Sequence, residues 1–110
     1  MTDVDSATEI AVRQGIRVFV AEDEAIIRLD IVETLTVMGF DVVGQAARGD
    51  AAEIEIRELV PDVAILDIQM PGKTGIDVAK ALTDDLVCAV VILSAFSQSG
   101  LVSEAIEAGV

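Results

Sequence analysis

The sequence predicts one α/β domain, a parallel sheet doubly wound with helices on both faces. Three observations carry this. Four strand-like runs, IRVFVA, FDVVGQA, DVAILD and VCAVVILS, alternate with segments of helical period. Such alternation implies parallel strands joined by right-handed crossovers. The first, third and fourth runs are almost continuously apolar, as strands buried on both faces are. Finally, two of them stop abruptly in carboxylates: VFVAEDE reaches Glu22 and Asp23, and VAILDIQMPG reaches Asp67.

Each element has its own justification. Residues 1–15 are polar and read as a mobile lead-in. IRVFVA, residues 16–21, is rich in β-branched residues and forms the first strand. Residues 24–38 form a helix with Ile27, Ile31, Leu35 and Met38 on one face, and Gly39 caps its end. FDVVGQA alternates and is less apolar, which suits an edge strand. Asp50 with Glu53 reads as a capping box, opening a helix that turns Ala52, Ile56, Leu59 and Val60 inward and stops at Pro61. DVAILD is the third strand, and MPGKTG is a loop by its Pro and Gly content. Thr74 with Asp77 opens the next helix, through Ile76, Ala79 and Leu82. VCAVVILS, residues 87–94, is the fourth strand. A last helix, SQSGLVSEAIEAG, places Val102, Ala105 and Ile106 on one face.

Composition narrows the function. The chain has 110 residues, enough for one domain, and 53% of them are apolar. Its formal net charge is −13, with no basic cluster among seven Lys and Arg. That argues against direct nucleic-acid binding, which draws most of its affinity from phosphate contacts. Trp and Tyr are absent, so bases would find little to stack on. No His is present, which removes the commonest general base and transition-metal ligand. The lone Cys88 lies in an apolar run and reads as a small core residue. A cytoplasmic setting is expected, without a secretory signal and without an apolar run of the ~20 residues that span a bilayer.

Glu22, Asp23 and Asp67 are the candidate site. In open α/β sheets ligands bind beyond the carboxyl ends of the strands, and both acidic runs end there. Three carboxylates in one place repel one another, so a hard cation taking oxygen ligands is expected: Mg²⁺, or Mn²⁺ in its place. An aspartate beside such a metal can accept a phosphoryl group as a nucleophile. Ser94 ends the fourth strand at the same edge, where its hydroxyl could bond a phosphoryl oxygen or simply nearby backbone. Acidic residues at a helix N-terminus are also common for electrostatic reasons alone. Lys73 reads as a solvated loop residue.

In this order, AEDE, ILDIQMPGKTG and VILSA resemble the receiver domain of two-component response regulators. The match runs from Ile16 to Val110, and DxxMPxxxG is its most specific part. AEDEAIIRLDI and LSAFSQ further resemble receivers of regulators with an RNA-binding antitermination (ANTAR) output domain. The resemblance implies a flavodoxin-like fold of strand order 2-1-3-4. It makes Asp67 the phosphoacceptor and Asp23 the direct Mg²⁺ ligand. Glu22 is then the water-mediated ligand, the backbone carbonyl of Gln69 a third contact, and Ser94 the switch hydroxyl. It also implies a sensor histidine kinase or phosphotransfer protein as partner.

The family's fifth strand, with its terminal lysine and aromatic switch residue, has no counterpart; the last lysine here is Lys80. We therefore expect a receiver cut short at residues 16–110, lacking the fifth strand and last helix. Its fourth strand would then offer a free edge for self-association. Three other readings are weighed against it. One is a switch-disabled fragment that binds partners without phosphosignalling. Another is an aspartate-nucleophile phosphatase, disfavoured by Gln69 where a general acid is wanted. The last is a nucleotide-binding domain, for which no glycine-rich phosphate motif exists.

Overall fold

The computed structural model describes residues 15–93. Strand β1 (Arg17–Ala21) leads to helix α1 (Ala25–Val37), β2 (Asp41–Ala46), α2 (Gly49–Leu59), β3 (Val63–Asp67), α3 (Gly75–Asp84) and β4 (Ala89–Leu93). All pairings are parallel, and the strand order is β2-β1-β3-β4. The predicted fold class and order hold. FDVVGQA lies at one edge, as its alternation suggested, and β4 lies at the other among the described residues.

The two faces of the sheet are covered unequally. Phe19, Ala64, Leu66 and Val90 from the strands pack with Ala52 and Ile56 of α2 and Val78, Ala79 and Leu82 of α3 in one buried cluster. The opposite face carries α1, in which no residue is buried. Ile31 and Leu35 are half-buried, whereas Ile27 and Met38 are exposed, so the face expected to point inward is only partly covered. Periodicity identifies a helix face; the neighbours that cover it are a matter of tertiary packing.

Helix ends depart from expectation where backbone partners intervene. Gly39, at φ 98°, ends α1 as expected, with N–H groups of Gly39 and Phe40 bonded back to Thr36 and Leu35 carbonyls. Helix α2 starts one residue before Asp50. Arg48 occupies the N-cap, and Asp50 sits in the first turn, so the expected capping box does not form. Its end turns through Val60 in the left-handed region, where Arg17 Nη1 donates to the carbonyls of Leu59 and Val60 at 2.9 and 3.0 Å. Val60 is exposed rather than inward-facing. Thr74 caps α3 as expected, accepting from the Asp77 N–H at 3.1 Å. The fourth strand begins at Ala89 rather than Val87, because the Val87 N–H closes α3 by bonding Leu82 O at 2.9 Å. The expected lead-in, last helix and Ser94 lie outside the described residues.

Candidate functional site

Parallel register decides where the acids go. Ala21 pairs with Leu66, so β1 and β3 leave the sheet side by side at its carboxyl edge. Glu22 and Asp23 follow β1, and Asp67 closes β3. One carboxylate oxygen from each lies within 4.8 Å of the others. Glu22 is 6% exposed, Asp67 is half-buried and Asp23 is exposed, so the group runs from the interior out to solvent.

The β1–α1 turn is held from several sides. The Glu22 N–H donates to Ala46 O at 3.0 Å, and Glu22 Oε2 accepts from the Glu24 N–H at 2.9 Å. Arg28, one turn into α1, donates from Nη1 to the Glu22 carbonyl at 2.8 Å and from Nε to Gln45 Oε1 at 3.2 Å.

The loop after Asp67 is held by close backbone approach. The Gly75 N–H donates to Ile68 O at 2.7 Å, and the Gly49 N–H donates to Pro71 O at 2.9 Å. A Cβ on Gly75 would lie 2.0 Å from Asp67 O, and one on Gly49 would lie 1.9 Å from Lys73 O. Only glycine lets the loop lie against the starts of α2 and α3. Lys73, read as a solvated loop residue, is exposed, and it also pairs with Glu53 at 2.6 Å. Glu53 also holds Arg57 at 3.0 Å, and Arg57 reaches Asp85 at 2.8 Å. Lys73 beside it holds the Glu53 carboxyl below its ordinary range. This network ties the loop to α2 and the end of α3.

The electrostatics of the acidic group follow from burial without a counter-charge. Among the described residues none of the three carboxylates forms an ion pair. Burial pushes Glu22 up to about 7, against the Glu24 N–H that favours its charged form; Asp23 and Asp67 push it further up. Asp67 is also raised, by burial first and then by the charge of Asp23. Three crowded carboxylates, an all-oxygen donor set, fit a hard divalent cation, whose charge would offset the repulsion.

The other predicted residues fall as follows. Gln69 is exposed on the loop two residues after Asp67. Ser94 lies outside the described residues, directly after β4. Cys88 is half-buried against the main cluster, and burial raises its thiol pKa, in keeping with a core role. Sequence reasoning missed Arg28 and Gln45, since a backbone carbonyl leaves no trace in a sequence. No helix among the described residues is long and apolar enough to cross a membrane.

Known proteins resemble the chain in both sequence and fold. Residues 18–110 match the response regulator receiver domain family. The transcriptional regulatory protein PdtaR of Mycobacterium tuberculosis is 42% identical over 109 residues, covering 98% of this chain and 50% of PdtaR. The chain thus spans about half the length of that relative. The chemotaxis protein CheY of Thermotoga maritima is 36% identical over 96 residues, 86% of this chain and 80% of CheY. Among solved structures, the receiver domain of NarL from M. tuberculosis superposes with a TM-score of 0.81 at 35% identity. It covers 84% of this chain and 77% of its own. With the acids at the carboxyl ends of adjacent parallel strands, and sequence and fold agreeing over most of its length, the chain belongs to the response regulator receiver domain family.

Proposed function

We propose that this chain is the phosphoacceptor of a two-component relay, taking a phosphoryl group on Asp67 from a sensor histidine kinase or phosphotransfer protein. One observation carries the reading: Glu22, Asp23 and Asp67 converge within 4.8 Å where β1 and β3 end. Glu22, Asp23, Asp67 and the Gln69 carbonyl would hold Mg²⁺, or Mn²⁺ in its place. The bound ion supplies charge neutralisation to an anionic transfer. A carboxylate oxygen of Asp67 attacks the phosphorus of the donor's phosphohistidine. An O–P bond forms as the P–N bond breaks, and the departing imidazole takes a proton from solvent. The product is an acyl phosphate at Asp67. Such a transfer asks little covalent machinery of the protein, since position and charge dominate. No enzymatic role beyond self-catalysed transfer and hydrolysis is needed.

The acyl phosphate carries about −1.5 to −2 units of charge where the free carboxylate carried −1, so the carboxyl edge gains up to about one negative charge and three strong acceptor oxygens. We assign its sensing to the Ser94 hydroxyl. The output we propose is RNA-binding antitermination, on the resemblance of AEDEAIIRLDI and LSAFSQ to receivers of that class. With a net charge of −13, this segment would act on RNA through another domain rather than directly. The functional unit we assign is residues 16–110, in the cytoplasm. The β4 edge, with Val91 and Leu93 exposed, is our candidate surface for self-association.

The test is intact mass after incubation with acetyl phosphate and Mg²⁺. A phosphoryl adduct in the wild type and none in Asp67→Asn is expected. An adduct of equal yield in Asp67→Asn would place the acceptor elsewhere.

A further inference from the structure

Among the described residues, Arg28 is the one guanidinium that bonds the acidic turn, and it does so from an unexpected side. Its Nη1 donates to the Glu22 backbone carbonyl at 2.8 Å, while its Nε is held by Gln45 Oε1 at 3.2 Å. It forms no ion pair with Glu22, Asp23 or Asp67. Instead it completes a brace around one residue. The Glu22 N–H is fixed on Ala46 O of β2, the Glu22 carbonyl is fixed by Arg28 of α1, and the carboxylate accepts from the Glu24 N–H. The Arg28 N–H in turn bonds Glu24 O at 2.9 Å, so the brace is anchored in the first turn of α1.

Resting on the metal-site reading above, we infer that Arg28, oriented by Gln45, is a positioning residue that sets the Glu22–Asp23 turn for cation binding. Two consequences of the contact have opposite signs, which makes the role separable from simple charge. A cation near the site repels Mg²⁺, so removing the Arg28 charge would by itself tighten binding. Losing the brace frees the Glu22 peptide and scatters the two carboxylates, which weakens binding. Partners that orient metal ligands commonly change affinity 10- to 100-fold when lost. Arg28 holds a ligand's backbone rather than its carboxylate, so we expect the low end of that range.

The experiment is Mg²⁺ titration of the whole chain by calorimetry, with urea midpoints of each metal-free variant. Arg28→Met should weaken Mg²⁺ binding about tenfold. Arg28→Lys, which keeps one donor for the Glu22 carbonyl, should recover most of that loss. Gln45→Met, at an exposed strand position, should weaken binding a few-fold and add little to Arg28→Met, because both act through one contact. Unchanged or tighter binding in Arg28→Met would overturn the inference, as would full additivity with Gln45→Met. An effect on the urea midpoint with no change in Mg²⁺ affinity would show a purely structural role and overturn it equally. Asp23→Ala runs alongside as the separate control: if it too binds like the wild type, the site assignment itself fails, whatever Arg28 does.

Discussion

Gly75→Ala is a demanding test of how the loop holds the acceptor. Gly75 is buried at the start of α3, and an added Cβ would stand 2.0 Å from the Asp67 carbonyl oxygen and 3.1 Å from Ile68 Cα. Contacts under 3.0 Å are essentially never tolerated, so the two backbone segments must part by at least about 1 Å. The nearest atom is backbone on the strand that carries the acceptor, and it cannot swing away as a side chain would. Overpacking of this kind costs typically 1–3 kcal/mol. The 2.7 Å bond from the Gly75 N–H to Ile68 O is strained as well, so we place the cost near the top of that range, about 3 kcal/mol. For a domain of this size such a loss lowers the melting midpoint by on the order of 10 °C or more. The same 1 Å displacement moves Asp67 relative to Glu22 and Asp23, and misplacement on that scale can slow a reaction about 10²-fold. Thermal or urea unfolding and the initial rate of phosphorylation by acetyl phosphate would be measured together. Gly15→Ala, where nothing lies within 4 Å and φ is 58°, is the comparison and should cost only about 1 kcal/mol. A Gly75→Ala variant with wild-type midpoint and wild-type rate would show that the loop accommodates the added Cβ without displacing Asp67. Lost stability with an unchanged rate would break the proposed link between the loop contact and the acceptor.

Three further outcomes follow from the site and the sheet. Asp23→Ala should abolish Mg²⁺ binding that the wild type shows in the micromolar-to-millimolar range typical of weak oxygen-ligand sites; equal affinities by titration would contradict the donor set. Glu22, raised by burial from 4.5 to about 7, keeps a proton in the folded protein that the unfolded chain has already lost. Its contribution to metal-free stability is therefore fully present below about pH 4.5 and lost as pH rises through about 7, a decline on the order of 3 kcal/mol. Glu22→Gln should remove that decline from urea midpoints measured in chelator, and a wild type whose advantage over this variant grew with pH would reverse the sign. Sedimentation over a concentration series should show association through β4, whose outer row of backbone groups is unpaired among the described residues. A compact monomer at high concentration, with the amides of Val90 to Ile92 protected from exchange, would show that something else covers this edge.

Much of the architecture is legible because apolar runs and acidic strand ends are local signals. The four strands, their parallel order and the convergence of Glu22, Asp23 and Asp67 all rest on such runs. The Thr74 cap is legible too, since a hydroxyl three residues before a donor is a local pattern. What escapes reading depends on partners distant in sequence. Asp50 looked like a cap, but Gly49 must already be helical because its N–H meets Pro71 O across the site. The pairing of Lys73 with Glu53 was not legible because Glu53 lies twenty residues earlier, on another element. Arg28 carried no signal because its chief partner is a main-chain carbonyl. The inner face of α1 was readable as a face, but not the extent to which anything covers it.

Phosphoryl transfer to Asp67, in a site completed by a divalent cation, can be mapped on the chain itself. The most direct measurement is site mapping: the chain is treated with acetyl phosphate, the acyl phosphate is trapped by borohydride reduction, and the digested peptides are sequenced by mass spectrometry. The reduced residue is expected at Asp67 alone, formed with Mg²⁺ and absent when a chelator is added first. Modification at another carboxylate, or undiminished modification of Asp67 in chelator, would contradict it.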